Sequence, residues 1–227
     1  MTSTEEALKG RSALVMGATG LVGRHCLDLL LADEAYATVH VVGRRSLERT
    51  DPKLVEHVID LTTLEEHAGL FGVNDVFCCL GTTIRKAGSQ EAFLQVDVEY
   101  PATAARLATD AGADQFLVVS ALGADAQSRI FYNRAKGEME AKVRRMPLQA
   151  VWVVRPALLL GDRAETRIGE RVAEWLLRPF GPMMVGRLRR YRPVHARQVA
   201  SAMVSLAKEN GTGGIVESEE IAALATL

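Results

Sequence analysis

The sequence predicts an α/β fold: a doubly wound parallel sheet with helices on both faces and a small substrate-side segment late in the chain. Three observations carry this. Short runs rich in β-branched and aromatic residues alternate with helical patterns through the first two thirds of the 227 residues. Parallel neighbours need a crossover connection, so repeated strand-helix alternation implies a sheet covered on both sides. Finally, the glycine-punctuated stretch "VMGATGLVGRHCL" (15–27) separates the first strand-like run from the first helical one.

The strand-like runs come in order as "SALVMG" (12–17), "TVHVVG" (38–43), "EHVID" (56–60), "DVFCCLG" (75–81), "QFLVVSA" (115–121) and "AVWVVRP" (150–156). Between them, Val22, Cys26, Leu29 and Leu30 fall on one face of a helix, at i, i+4, i+7 and i+8. Helical patterns also cover 89–110 and 132–145, and Pro101 should kink or restart the first of these. After Pro156 the alternation weakens into an arginine-rich, Gly/Pro-broken stretch, a helix over 195–208 and a short tail.

With 48% hydrophobic residues the chain can bury a sizeable core, and a single domain over 1–227 is expected, residues 157–227 supplying a substrate-side lid and the C-terminal helix. A formal net charge of -1 gives no global attraction to nucleic acid or an anionic membrane. Cys26, Cys78 and Cys79 read as reduced, mostly buried thiols, and adjacent Cys78 and Cys79 on a strand point to opposite faces. The opening residues lack the order of a secretory signal, and no apolar run approaches the roughly 18 residues of a membrane span, so a cytoplasmic protein is expected. No histidine has metal-ligand spacing, and no metal is predicted; His195 reads as a helix-start or packing residue.

G-x-x-G-x-x-G between a strand and a helix has a physical logic. Gly17 and Gly20 let the backbone turn tightly and approach a pyrophosphate, Gly23 lets the helix pack close to the strand, and the helix N-terminus offers unpaired N–H groups. The second strand then speaks to cofactor choice. A carboxylate there would hydrogen-bond a ribose 2'-hydroxyl, whereas Arg44 and Arg45 suit a 2'-phosphate through charge-assisted hydrogen bonds, which predicts NADP(H) over NAD(H). Two solvated surface arginines are the alternative. Asp60 ends the third run as an acceptor for an adenine amino group or a simple loop cap, and Gly81 lets the backbone lie against the cofactor's middle.

"VVSALGADAQSRIFYNRAKGEME" carries the catalytic suggestion. Tyr132 and Lys136, four apart, share a helix face, and Ser120 ends the preceding strand. In a carbonyl reduction Tyr132 would give its proton to the developing alkoxide and Ser120 would hydrogen-bond the carbonyl oxygen. Lys136 would tune the phenol and hold the nicotinamide ribose.

"GATGLVG", Ser120 and the Tyr132/Lys136 pair resemble the short-chain dehydrogenase/reductase superfamily in its atypical, NADP-preferring branch. More narrowly, "CCLGTT", "VSALGAD", "YNRAKGEMEAKV" and "RPALLLGDR" are similar to the oxidoreductases related to the Tat-interacting protein. The resemblance implies a Rossmann-type sheet and cofactor contacts at Gly17, Thr19, Gly20, Leu21, Val22, Gly23, Arg44, Arg45, Asp60, Leu61, Leu80, Gly81, Thr82, Tyr132, Lys136, Pro156, Ala157, Leu158 and Leu159. The asparagine that completes the usual catalytic tetrad has no counterpart near Asp97. Members of this branch are often described as regulators or NADPH-dependent binding proteins.

From Val151 to Arg197 there are ten arginines and no lysine against four acids, and Trp175, Leu176, Leu177, Phe180, Met183 and Met184 add an apolar patch. Such a segment serves as a substrate lid, a docking surface for a protein partner or lipid, or a core-packing helix with solvated arginines. The sequence therefore predicts an NADPH-dependent reductase of a carbonyl, quinone or related small molecule, acting as a monomer or homodimer. The alternative from another class is an NADPH-binding sensor or assembly factor with little turnover.

Overall fold

The computed structural model describes residues 10–160, 190–209 and 211–225. Its strands are β1 (Arg11–Met16), β2 (Tyr36–Gly43), β3 (Leu54–Val58), β4 (Asp75–Cys78), β5 (Gln115–Val119), β6 (Ala150–Arg155), β7 (Leu159–Leu160), β8 (Val194–His195) and β9 (Gly214–Glu217). Seven of them form one sheet in the order β3-β2-β1-β4-β5-β6-β9, with every pairing parallel. The order reverses between β1 and β4, which opens a crevice at their carboxyl ends. β7 and β8 pair separately, Leu159 opposite Val194.

The helices are α1 (Gly23–Ala32), α2 (Ile84–Ala87), α3 (Gln90–Leu94), α4 (Tyr100–Asp110), α5 (Phe131–Val143), α6 (Ala196–Lys208) and α7 (Ser218–Leu224). Side-chain alternation along the strands sorts the core into two layers. Ala13 and Val15 pack with Cys26, Leu30, Val199 and Met203 of α1 and α6. Leu14 and Met16 pack on the other face with Ala104, Ala105 and Met139 of α4 and α5. Cys78 lies in this second layer, while the Cys79 Sγ sits 3.8 Å from that of Cys26 on the first, as the strand reading of the two neighbours requires.

The amino ends of the strands are tied by charge. The Arg11 guanidinium donates to both oxygens of the fully buried Asp75 at 2.9 and 2.6 Å, and the Tyr36 hydroxyl donates to the same carboxylate at 2.8 Å. Bidentate pairing of this kind offsets the cost of burying the carboxylate. The opposite edge of the sheet is left for the site.

Several elements differ from the sequence reading. β3 begins and ends two residues early, because Asp60 leaves the strand: its Oδ1 accepts from Thr62 N at 3.0 Å and starts the 3-10 turns of Leu61–Phe71. β4 stops at Cys78, as the chain turns toward the glycine loop. The predicted helix over 89–110 contains a π-helical turn at Gln95–Glu99, and Pro101 lies in the first turn of α4, where its missing N–H costs nothing. The short tail holds β9 and α7, neither of them foreseen. The arginine-rich lid segment, with Trp175 to Met184, lies outside the described residues save for its last positions, 190–192.

Candidate functional site

The glycine loop connects β1 to α1 beneath the crevice. Gly17 has φ +82°, and a Cβ there would stand 2.7 Å from the Cys79 carbonyl oxygen, so the loop lies directly on the end of β4. Gly20 N donates to Gly17 O at 2.9 Å and closes the turn. A Cβ on Gly23 would overlap that same Gly17 carbonyl, so the first turn of α1 can be this close to the strand only with glycine there. α1 starts with Val22 at its N-cap, without a capping side chain or an acidic residue in its first turn. Its amino end is suited to an anion.

A cleft of about 50 Å³ opens beside this loop, lined by Gly17, Ala18, Thr19, Val41, Val42, Gly43, Arg44, Arg45 and Leu47. Thus Gly17 of the loop and both arginines, 27 or more residues apart in sequence, line one cleft. Asp60 is close enough to Arg44 for the guanidinium to help the Thr62 hydrogen bonds hold its carboxyl below the usual range. Asp60 is thus a turn cap with one oxygen committed to Thr62, and Leu61 beside it is buried. The backbone cradle at the start of α1 is suited to the anionic pyrophosphate of a nicotinamide dinucleotide, with Arg44 and Arg45 on the adjoining cleft.

At the end of β4, Leu80 and Gly81 lead to Thr82, whose N–H donates to the Asp97 carboxylate at 2.8 Å. Asp97 sits on the π-helical turn, 1% exposed, and its other oxygen is 2.8 Å from the Lys136 ammonium, itself 5% exposed. Burial works to lower the pKa of Lys136, but the Asp97 carboxylate and the neighbouring Tyr132 outweigh it and raise it above the ordinary lysine value. Tyr132, one turn earlier on α5, is 40% exposed, with its ring 6.0 Å from that of Phe93. The phenol is thus half-exposed while the ammonium one turn on is buried.

Ser120 joins a different cluster. It is buried and donates to Glu140 Oε1 at 2.5 Å; Arg155 grips the same carboxylate at 2.9 and 2.6 Å and reaches Glu217 at 2.9 Å. The network ties the end of β5 to α5, β6 and β9. Pro156 to Leu159 are fixed by backbone: Pro156 O accepts from Leu122 N, Ala157 N donates to Ser218 Oγ, and Leu158 O accepts from Val194 N. His195 starts α6, its N–H donating to Gln198 Oε1 at 3.1 Å.

Sequence reasoning missed Asp97, Glu140 and Arg155. Glu140 had a signal, since Tyr132, Lys136 and Glu140 follow at i, i+4 and i+8 on one helix face. Asp97 had a weaker one, an acid flanked by Val96 and Val98.

The fold and the glycine cradle define an NAD(P)H-binding protein, and the chain matches the NAD(P)H-binding family over residues 17–210. It is 39% identical over 177 residues to Protein HTATIP2 of Rattus norvegicus, covering 76% of this chain and 71% of the relative. It is 31% identical over 218 residues to Protein FMP52, mitochondrial, of Debaryomyces hansenii, covering 91% and 93%. The chain belongs to the HTATIP2-related family of atypical short-chain dehydrogenase/reductases.

Among solved structures, MoeE5 in complex with UDP-glucuronic acid and NAD superposes with a TM-score of 0.68 at 19% identity, covering 96% of this chain and 81% of that one. The UDP-glucuronic acid 4-epimerase of Bacillus cereus, in complex with UDP-glucuronic acid and NAD, gives 0.67 at 14%, covering 91% and 77%. At these identities the likeness is one of fold.

The expectation of a cytoplasmic protein is corrected by the relatives: those of Debaryomyces hansenii, Emericella nidulans and Scheffersomyces stipitis are named mitochondrial. Organelle addresses are read by receptors rather than imposed by composition, and a test for secretory signals does not detect them.

Proposed function

We propose that this protein is an NADPH-dependent reductase of a small carbonyl or quinone compound, with Tyr132 as the proton donor. The observation that carries the reading is a half-exposed Tyr132 one helical turn before the buried Lys136, on the helix that follows β5 and close enough to act on its charge. Arg44 and Arg45 on the cleft wall favour the 2'-phosphate of NADPH. When bound, the reduced nicotinamide would supply the hydride.

The chain's own residues do the rest. Tyr132 holds its proton at the phenol oxygen and delivers it to the substrate oxygen as negative charge develops there. Lys136 keeps a positive charge beneath the phenol, favouring the phenolate left behind, and offers N–H donors to the ribose. The Ser120 hydroxyl would reach a substrate carbonyl only by giving up its bond to Glu140.

The test is NADPH oxidation by wild type and Tyr132→Phe over a panel of quinones, aldehydes and ketones, after both have been shown to bind cofactor. Turnover in wild type that falls about 10²- to 10⁴-fold in the variant is the expected result. Tight binding without turnover on any of them would replace this reading with a protein that senses NADPH, Tyr132 and Lys136 serving only to hold the ribose.

A further inference from the structure

The catalytic lysine of the proposed site is not a lone cation. Its ammonium is 2.8 Å from Asp97 Oδ1, and both side chains are buried. Asp97 is aligned by a second bond, from Thr82 N at 2.8 Å, and by the π-helical turn that carries it. A π turn inserts a residue into a helix and is found most often where a side chain must be aimed. The carboxylate is thus fixed from two sides, one of them the strand end that forms the cofactor groove.

We infer that Asp97 is a positioning residue that opposes the charge of Lys136 at Tyr132, keeping the phenol protonated as an acid, poised to donate in a reduction. This rests on the reading of Tyr132 as proton donor. The physical step is Coulombic. An ammonium alone near a phenol favours the phenolate, whereas an ammonium paired with a carboxylate presents a dipole whose effect falls off faster with distance.

Lys136 faces Asp97 from the π turn, Tyr132 from its own helix and Cys78 from β4. Burial pushes the Cys78 thiol up to about 12, so it stays neutral. The ring nearest Tyr132 from α3 is Phe93, which does not titrate.

The experiment is a spectrophotometric titration of the Tyr132 phenol, taken as the difference between each protein and the same protein carrying Tyr132→Phe. It needs no turnover. In Asp97→Asn the phenolate band should develop about one pH unit or more below wild type. Asp97→Glu should hold the wild-type position, and Asp97→Asn combined with Lys136→Met should return toward it. The alkaline limb of kcat/KM should move to lower pH with the band.

An Asp97→Asn titration that overlays wild type, in a protein whose circular dichroism and melting are native, would overturn the inference. A shift in the double variant as large as in Asp97→Asn would do so too, since Lys136 would then not be the mediator. If Asp97→Asn does not fold, Asp97→Ser is titrated in its place: a shift to lower pH supports the arrangement and none overturns it. Absence of turnover in wild type on every substrate would defeat the reductase reading while leaving the titration result standing.

Discussion

Ser120 donates its hydroxyl hydrogen to the Glu140 carboxylate over 2.5 Å, and both side chains are buried. A serine so engaged is part of the scaffold tied to α5 before it is a contact for substrate. The same carboxylate anchors Arg155 twice, and Arg155 reaches on to Glu217. The cluster therefore stitches α5, which carries Tyr132 and Lys136, to three adjacent strands.

Loss of either partner should separate these roles. Ser120→Ala removes one hydrogen bond to a charged carboxylate and should cost about 2 kcal/mol of stability. Glu140→Ala strands the Arg155 guanidinium with Glu217 as its remaining carboxylate and should cost about 3 kcal/mol. Urea unfolding of both variants checks the ranking. If Ser120 stays on Glu140 during the reaction, Ser120→Ala will also lose far less turnover than Tyr132→Phe; equal losses would show that the serine leaves Glu140 to bind substrate.

The contact between Gly23 and the Gly17 carbonyl leads to a second expectation. Gly23→Ala places a methyl group where that carbonyl stands, so either α1 or the glycine loop has to shift. Overpacking of this kind costs about 1–3 kcal/mol. Because the shifted atoms belong to the proposed anion cradle, NADPH affinity should fall along with the melting temperature. A variant that melts lower yet binds NADPH as wild type would show that the loop itself does not hold the pyrophosphate.

Much of this was legible in the sequence because it is local and periodic. Leu14 and Met16 against Ala13 and Val15 set the two faces of β1, and the glycine spacing marks the strand-to-helix turn. β9 was not legible: only Ile215 and Val216 are apolar, between Gly213, Gly214 and Glu217, and pairing with β6 rather than its own pattern makes it a strand. Ser120 lies one residue past the end of β5 rather than in it, and its hydrogen-bond partner lies 20 positions on in a helix, fixed by Arg155 from another strand. Asp97 faces inward through a π turn, which a regular 3.6-residue period cannot reveal.

At the edge of the sheet, His40 and His57 stack with ring centroids 5.3 Å apart and share a hydrogen bond, Nδ1 to Nε2, of 3.0 Å. Such a bond needs one nitrogen unprotonated. Burial lowers the pKa of both imidazoles, aided at His40 by His57 and at His57 by His67. Folded values below the unfolded one mean that the unfolded chain takes up protons first. The contribution is therefore present above about pH 6.5 and is lost as pH falls below it through the folded values. Wild type should lose more urea stability between about pH 7.5 and about pH 5 than His57→Gln, which keeps an acceptor and removes one titrating ring. Parallel losses in the two proteins would place the acid sensitivity elsewhere.

The cofactor preference can be decided at Arg44. Arg44 lines the cleft with Gly17 of the glycine loop and lies close enough to Asp60 to act on that carboxyl, at the place the proposed function gives to the adenosine ribose. Hydrogen bonds to a charged group are worth about 1.5–3 kcal/mol, which corresponds to roughly 10- to 100-fold in a dissociation constant. Arg44→Ala should weaken NADPH binding by that factor and leave NADH within about twofold, since NADH has no 2'-phosphate to lose a partner. Arg44→Lys should fall between, because an ammonium keeps the charge but not the planar fork. Calorimetric titration of both nucleotides into the three proteins checks this, and equal losses for NADPH and NADH in Arg44→Ala would mean that the arginine supports the cleft without reading the phosphate.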